Sequence, residues 1–406
     1  MQFEVDRHDL QRVRVVQPPA AALQPGQARL LVRSFALTSN NITYAVFGDA
    51  LQYWQFFPAA GDDGEAGGGG AGRGEAGGGE ADTAGAAGAG AGQEEPVQWG
   101  RVPVWGFADV VETTVGSLAE GARVYGYLPM ATELIVQPGR LDDRGFSDTA
   151  AHRAAMAAAY NRYVYAAADP VYDTEREPHQ MVLWPLFFTS FVIDDMLADS
   201  GFLGGCVVVS SASSKTAIGV AHLLSRRAGV RVVGLTSAAN AEFVGELGCY
   251  HDVVTYDALA AGGTGSGLPV GTAAYVDIAG DATVTRAVHQ HFGDRLVHSM
   301  IVGGTHWNAA PPTAGGEGEG ALSAMRGPSP QFFFAPTQIA KRTHEWGRDG
   351  LEARTTEAWT AYRDWADEWL HFHRAFGPAE VEHTYRELLA GRVDPRVGHV
   401  CTMEPR

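Results

Sequence analysis

The sequence predicts an α/β protein in which a doubly wound parallel sheet is joined to a β-rich, barrel-like half. Between residues 205 and 302, strand-like and helix-like segments alternate, as they do where helices connect the strands of a parallel sheet. Within this region, residues 205–237 form a strand–helix–strand pattern with a tight polar first turn. Residues 1–140 instead contain several short strand-like segments. Together these observations indicate two packed units.

Composition places the chain among globular proteins. It has 406 residues, of which 45% are hydrophobic and 19% charged, enough for two domains and a large core. Three cysteines (Cys206, Cys249 and Cys401) are too few and too scattered for a disulfide framework or a four-cysteine zinc site. The first residues lack a basic stretch followed by an apolar block, and no uninterrupted apolar run reaches the ~18 residues of a membrane span. We therefore expect a reduced, cytoplasmic protein without a membrane segment.

The net negative charge of the chain limits the kinds of molecule that it is expected to bind. A formal net charge of −17 and a pI near 5.2 disfavour nucleic acid, which requires a basic surface. An acidic chain can still hold an anionic cofactor, because backbone amides and a few local cations act at short range. We expect a small-molecule substrate and no nucleic-acid partner.

The first half reads as a set of strands with one long insertion. Residues 28–36 alternate as in a strand, a polar turn follows at 39–41, and 43–51 are expected to form a short helix. Residues 61–92 are almost entirely Gly, Ala, Glu and Asp, so they bury too little apolar surface to offset chain entropy. This predicts a disordered insertion over residues 61–95. Further strands are expected at 102–112, 122–129 and 133–136.

The second half follows the α/β pattern. Two helical segments, 150–165 and 181–198, precede the strand at 207–209. The next helix places Ile218, Ala221 and Leu224 on one side. The later strands are expected at 230–233, 253–256, 273–278 and 296–302, and the later helices at 241–247, 283–292, 352–376 and 380–389. We divide the chain into a β-rich catalytic-type domain (1–165), a nucleotide-binding domain (166–305) and a return to the first domain (306–406).

This order of elements resembles the medium-chain dehydrogenase/reductase superfamily. The segments 104–111 and 121–126 are similar to the glycine turn and "Gly-x-x-Val" strand of that superfamily, and 246–249 is similar to its "leucine-glycine-alanine" joint. The resemblance implies a GroES-like barrel domain and a Rossmann-type nucleotide-binding domain. The sequence Ser-Ser-Ala-Ser-Ser-Lys-Thr at residues 210–216 resembles that of a bacterial and fungal family described only as a domain of unknown function.

Two departures refine the resemblance. Zinc-dependent alcohol dehydrogenases of this superfamily carry Gly-His-Glu where this chain has Gly106, Phe107 and Ala108, and they carry a four-cysteine lobe that is absent here. Since a zinc site needs three or four converging ligands, we expect no metal and a zinc-free, quinone-oxidoreductase-like branch. The second departure is the cofactor turn, where serines at 210–214 replace the usual glycines.

The serine-rich turn is the predicted phosphate site. Hydroxyls and amides at the start of a helix bind anions, and a lysine adds positive charge. The alternative is that the serines only cap the helix, a role for which serine is preferred. The candidate residues of this turn are Ser211, Ser213, Ser214, Lys215 and Thr216.

The end of the second strand selects the cofactor. NAD-binding sheets place an acid there for the ribose hydroxyls, whereas this chain has Thr236 and Ser237 and no acid before Glu242. Hydroxyls tolerate a 2′-phosphate, so NADP(H) is favoured. The nicotinamide is expected near the later strand ends, at Ala279, Gly280 and Gly303.

Proton donors are expected from the other domain. Asn41, Tyr44 and Tyr53 are the candidates by residue type and position, although such residues are more often core or structural groups. Tyr127 and His306 are more distant candidates.

The hypothesis is an NADP(H)-dependent, zinc-free reductase that transfers hydride to a carbonyl or activated double bond. The alternative is a non-catalytic nucleotide-binding or sensor protein that retains the fold. A P-loop ATPase is disfavoured, because Val209 and Ser214 stand where that loop needs glycines. The resemblance is compatible with a homodimer.

Overall fold

The computed structural model describes residues 1–59, 97–262, 267–302, 325–333 and 335–406. These residues form two large sheets and the helices that cover them, with the expected α/β class. The predicted insertion over 61–95 lies wholly outside the described residues, as do Gly303 and His306.

The first sheet draws strands from both ends of the chain. Its nine strands follow the order β17-β18-β3-β5-β6-β10-β9-β8, with β7 paired to β3, and a small sheet of order β2-β1-β4 lies beside it. The strands β18 and β3 are antiparallel, with His399 opposite Leu37. The C-terminal strands therefore complete the barrel-like half. Its strands are β1 Gln2–Asp6, β2 Val13–Val16, β3 Ala28–Leu37, β4 Trp99–Gly100, β5 Pro103–Thr113, β6 Arg123–Pro129, β7 Glu133–Val136, β8 Pro138–Asp142, β9 Gly145–Asp148, β10 Arg162–Tyr165, β17 His371–Phe376 and β18 Val397–Thr402.

The second sheet is parallel throughout, with the order β13-β12-β11-β14-β15-β16. Numbered from its own first strand this is 3-2-1-4-5-6, the order of doubly wound dinucleotide-binding sheets. All four residues of β11 are buried, because helices cover both faces of the sheet. The predicted parallel sheet is thus confirmed. Its strands are β11 Cys206–Val209, β12 Arg231–Thr236, β13 Asp252–Thr255, β14 Ala273–Asp277, β15 Leu296–Ile301 and β16 Gln331–Phe332.

The helices pack around the second sheet and into the space between the sheets. The longest, α8, is broken at Gly347, whose φ of 73° is left-handed. The helices are α1 Ser39–Val46, α2 Ala158–Asn161, α3 Glu177–Asp199, α4 Lys215–Ser225, α5 Ala241–Glu246, α6 Tyr256–Ala261, α7 Ala282–Phe292, α8 Ala335–Ala366 and α9 Gly377–Leu389.

Two predicted helices were wrong in part. Residues 150–165 contain only a short 3-10 turn (Ala151–Arg153) and α2 before they enter β10. The predicted helix over 352–376 ends at Ala366, and its last residues form β17. Parallel pairing of β17 with β18 overrides the helical composition of the segment. The proposed domain boundaries stay predictions.

One described helical segment, Thr174–Asp199, is long and apolar enough by composition to cross a membrane, with a mean hydropathy of 1.5. Polar and charged residues interrupt this segment, so it does not appear as one apolar run in the sequence. Half of its apolar 18-residue stretch is buried, and the Phe187 ring stacks on Tyr362 of α8 with the ring centroids 4.8 Å apart. Core helices pass the same composition test, so these contacts favour a packed helix over a membrane span.

Candidate functional site

A cavity of about 870 Å³ lies between the two halves of the molecule. One wall is formed by the β11–α4 turn, and the opposite wall is formed by aromatic side chains of the barrel-like half and α3. The segment 390–397, which joins α9 to β18, lies along its edge. The cavity therefore brings together the predicted cofactor turn and two of the predicted proton donors.

The β11–α4 turn is fixed by contacts with the neighbouring strands. Ser211 has a left-handed φ of 53°, and the Ala212 amide donates to the Leu235 carbonyl at 2.9 Å. The Tyr250 hydroxyl donates to the Ala212 carbonyl at 2.8 Å. A Cβ on Gly234 would lie 2.9 Å from that of Ala212, so the glycine that permits this close approach stands on β12 rather than in the turn.

Several polar groups of the turn are already engaged. The Ser214 hydroxyl caps α4 by accepting from the Ala217 amide, as the structural alternative predicted. The Ser213 hydroxyl accepts from the Asn240 side chain at 3.0 Å, and the Ser211 amide donates to the Tyr256 hydroxyl at 2.9 Å.

The start of α4 still offers donors to the cavity. Among the described residues, the backbone amides of Lys215 and Thr216 have no acceptor, as is usual in the first turn of a helix. Both residues line the cavity. Such a helix start binds anions, so these amides fit a phosphate group.

Lys215 does not extend freely into the cavity. Its Nζ donates to the backbone carbonyls of Val397 at 2.9 Å and Pro395 at 3.3 Å. Burial lowers the pKa of this ammonium group to about 8, against a smaller opposite effect of Asp394.

Ser210, which is not among the residues predicted for the cofactor site, ties the ends of two central strands together. Its hydroxyl donates to Asp277 at 2.8 Å and accepts from the amides of Ile278 and Ala279. The Gly280 amide donates to the same carboxylate oxygen at 3.0 Å. Burial raises the pKa of Asp277, and these hydrogen bonds oppose that shift. In this structure the amides of Ala279 and Gly280 therefore fix the strand ends.

Thr236 and Ser237 lie at the end of β12, behind the cavity wall. Thr236 is fully buried and pairs with Thr255 of β13. Ser237 precedes a short turn that ends at Asn240, which lines the cavity. Of this segment, Asn240 is the side chain that the cavity reaches.

The opposite wall is aromatic. Tyr44 and Tyr53 both line it, with ring centroids 4.5 Å apart. Tyr160 packs against Tyr53 at 6.2 Å and Trp105 at 6.0 Å. Burial raises the pKa of each of the three tyrosine hydroxyls. They can donate hydrogen bonds to a ligand, but they are weaker acids than exposed tyrosines.

The sequence does not indicate Tyr160 as a site residue, because residues 150–165 have the composition of a plain helix. It is positioned by Arg153, a fully buried side chain that donates to the Tyr160 carbonyl at 2.7 Å and pairs with Asp148 at 2.9 Å. No local pattern signals this arrangement.

Asn41 has a different place from Tyr44. It is buried, and its side-chain oxygen accepts from the Thr38 amide at 2.7 Å while its nitrogen donates to the Pro103 carbonyl at 2.9 Å. These bonds fix the start of α1. The neighbouring Asn40 lines the cavity instead.

Among the described residues, no group of three or more His, Cys, Asp or Glu side chains could hold a metal ion. All three cysteines are buried and free, and burial raises the pKa of each thiol.

A sequence family described as "Protein of unknown function (DUF2855)" matches residues 35–394. The chain belongs to this family. The predicted membership of a family of unknown function, which rested on the sequence of the cofactor turn, is therefore confirmed. No curated protein matches the sequence.

Three solved structures share the fold of this DUF2855 chain. CurA from Vibrio vulnificus in complex with NADPH has a TM-score of 0.57 at 11% identity, and the match covers 100% of this chain and 99% of that one. Mycobacterial Rv1454c complexed with NADPH has a TM-score of 0.52 at 14% identity and 99% coverage of both chains. YHDH of E. coli K-12 with bound NADPH has a TM-score of 0.51 at 14% identity and full coverage of both. The predicted fold, a Rossmann-type parallel sheet joined to a β-rich half, is confirmed.

Proposed function

We propose that the protein is an NADP(H)-dependent, zinc-free cytoplasmic reductase that transfers hydride to a carbonyl or activated double bond of a small molecule. The observation that carries this proposal is the cavity, which is lined both by the start of α4, with its two open amides, and by tyrosines of the other half. The three structures of the same fold contain NADPH, which supports the cofactor assignment.

The chain's own residues suit this cofactor in part. The amides of Lys215 and Thr216, with the hydroxyls of Ser211 and Ser213, would hold the diphosphate. Ser237 is the proposed neighbour of the 2′-phosphate, whereas the predicted contact of Thr236 does not fit its full burial in the sheet. Ala279, Gly280 and Gly303 are the proposed neighbours of the nicotinamide. When bound, NADPH supplies the hydride. The hydroxyls of Tyr44, Tyr53 and Tyr160 would donate hydrogen bonds to the substrate oxygen as it gains negative charge.

A fluorescence titration of the purified protein with NADPH tests the proposal. We expect saturable binding, weakened at least about tenfold by Ser213→Asp, because a carboxylate at the start of α4 repels phosphate. Ser225→Asp, at the other end of the same helix, is the matched control and should bind as the wild type does. Equal or tighter binding of NADH would refute the NADP preference, and absence of NADPH binding would refute the reductase.

One observation favours the second candidate, a non-catalytic nucleotide sensor. The Ser211 amide and the Lys215 ammonium group are bonded within the protein, whereas a working phosphate site usually offers such donors to its ligand. NADPH binding without oxidation by any of a panel of quinones, enals and enoyl thioesters would establish the sensor.

We also propose a homodimer. β16 ends the parallel sheet among the described strands, and its Phe332 is 64% exposed. Light scattering should give twice the chain mass, and Phe332→Lys should shift it toward the monomer. A monomeric wild type contradicts this proposal.

A further inference from the structure

Lysine is rare in this chain. Of its 30 basic residues only two are lysines, Lys215 and Lys341, and the others are arginines. Lys341 pairs with Asp199 on an exposed surface, whereas Lys215 lines the central cavity. An arginine keeps its proton at all ordinary pH values, but a lysine can release one when its surroundings lower its pKa.

Two of the three donors of the Lys215 ammonium group are engaged. Its ammonium group has three N–H donors, and the carbonyls of Pro395 and Val397 accept two bonds. No salt bridge among the described residues includes it. The side chain starts on α4 of the nucleotide-binding half and ends at β18 of the barrel-like half. Its nitrogen therefore lies at the junction between the two walls of the cavity.

Asp394, Arg396 and His399 are the charged and titratable groups of the segment that accepts from Lys215. Asp394 raises the pKa of Lys215, but burial has the larger, opposite effect. His399 on β18 is influenced by the Lys215 charge, and burial together with that charge lowers the pKa of His399 to about 4. The imidazole is thus neutral at pH 7. Arg396, on the same segment as Asp394, is paired with Glu246 at 2.6 Å.

The other donors of the cavity are poor acids. The three tyrosines have raised pKa values, whereas that of Lys215 is lowered to about 8. A general acid works best when its pKa lies near the working pH. Groups whose pKa values are displaced in opposite directions in one cavity are typical of divided catalytic roles.

We propose that Lys215 is the proton donor of the reduction, a role that rests on the proposed reductase function. The substrate carbon takes the hydride with its electron pair, and the π electrons of the carbonyl move onto oxygen. The proton on Nζ passes to that oxygen, or to the α-carbon when an activated double bond is reduced. The neutral amine then regains a proton from water. The tyrosine hydroxyls stabilise the charge and keep their protons.

The competing role is a phosphate contact, for which positive charge alone suffices. Lys215→Arg separates the two roles, because arginine keeps the charge and cannot give up a proton. Lys341→Arg is the matched control for the substitution.

The first experiment needs no turnover. The Cε signals of ¹³C-lysine-labelled protein are titrated by NMR, and in the Lys341→Arg variant Lys215 gives the one remaining lysine signal. We expect a midpoint near 8 that stays below 9 in the presence of saturating NADP⁺. A midpoint near the ordinary value of about 10.4 overturns the proposal. So does a rise of more than one pH unit on addition of NADP⁺, since this indicates a phosphate contact.

The second experiment measures NADPH oxidation by wild type, Lys215→Arg and Lys341→Arg with the same panel of acceptors. We expect Lys215→Arg to lower kcat about 100-fold or more, to keep the NADPH Kd within about threefold, and to lose the fall in rate above pH 8. Lys341→Arg should match the wild type. An unchanged kcat and pH profile in Lys215→Arg overturns the proton-donor role but leaves the reductase intact. A wild type that oxidises no NADPH refutes the reductase itself, and the proton-donor role with it.

Discussion

At the scale of single residues, the Ser210 hydroxyl connects the ends of β11 and β14. It makes three hydrogen bonds, to Asp277, Ile278 and Ala279, in a fully buried position. We expect Ser210→Ala to lower the free energy of unfolding by about 1–3 kcal/mol, because it leaves buried polar groups without a partner. Urea denaturation measures the change. Ser200→Ala, at an exposed position, should change stability by less than about 0.5 kcal/mol, and equal effects of the two variants would contradict this account.

Buried histidine makes the fold sensitive to acid. His222 lies against the rings of Trp365 at 4.5 Å and Tyr362 at 5.3 Å, and burial, followed by the Arg226 charge, lowers its pKa to about 4. The unfolded chain, with an ordinary pKa of about 6.5, binds this proton more readily. The free energy of unfolding should therefore be highest above pH 6.5 and fall between pH 6.5 and 4, by up to about 1.4 kcal/mol per pH unit.

Urea denaturation at pH 7 and pH 5 tests this expectation. His222→Leu should reduce the difference between the two values, and a residual part should remain from His399. His8→Gln, at an exposed position, should leave the difference unchanged. A His222→Leu variant with the same pH dependence as the wild type would assign the effect to other groups.

At the scale of elements, the contact between α3 and α4 depends on one glycine. A Cβ on Gly219 would lie 2.6 Å from Ser190 Oγ, which donates to the Thr216 carbonyl at the start of α4. Alanine normally stabilises a helix by about 1 kcal/mol relative to glycine, but here the steric conflict should outweigh it. We expect Gly219→Ala to lower the free energy of unfolding by about 1–3 kcal/mol.

Thermal and urea unfolding of two variants check this prediction. Gly245→Ala in α5, where nothing lies within 4 Å of the new Cβ, should be neutral or stabilising. Adding Ser190→Gly to Gly219→Ala should restore part of the loss, because it removes the conflicting side chain. If Gly219→Ala is as stable as Gly245→Ala, the helices are not in close contact.

The sequence predicted the helices and strands that show hydrophobic periodicity among neighbouring residues. The alternating strands and helices of the parallel sheet depend on hydrophobic periodicity, which neighbouring residues carry. By contrast, β17 reads His-Phe-His-Arg-Ala-Phe, without a β-branched residue, and it becomes a strand only by pairing with β18. The direction of Lys215 is likewise set by Val397, 182 residues away. Local composition shows neither the pairing of β17 with β18 nor the bond from Lys215 to Val397. The residue types of the site could therefore be predicted from the sequence, but their contacts could not.

At the scale of the whole molecule, the C-terminal segment holds the two halves together. Its residues 390–397 contact α4 through Lys215 and α5 through Arg396, and β18 then lies between β3 and β17. We expect a chain truncated after Leu389 to be insoluble or partly unfolded, since β3 loses a partner and the cavity loses one side.

Far-UV circular dichroism and the soluble fraction after expression measure the effect. A chain that lacks only residues 405–406, which follow β18, should fold cooperatively. A soluble truncated chain with a cooperative melting transition would show that the C-terminal segment is dispensable.

The position of β18 also sets the order in which the molecule can form during synthesis. The strands β11 to β15 occupy residues 206–301, so the parallel sheet can assemble while the ribosome is still adding the rest. The barrel-like sheet cannot close until residues 397–402 have left the exit tunnel, although β3, the partner of β18, is synthesised long before them. Most domains fold in the order of their synthesis. Here the barrel-like half must wait for a strand that follows β11 to β15 in the chain, and until then the edge of β3 that pairs with β18 is open to chaperones or to aggregation.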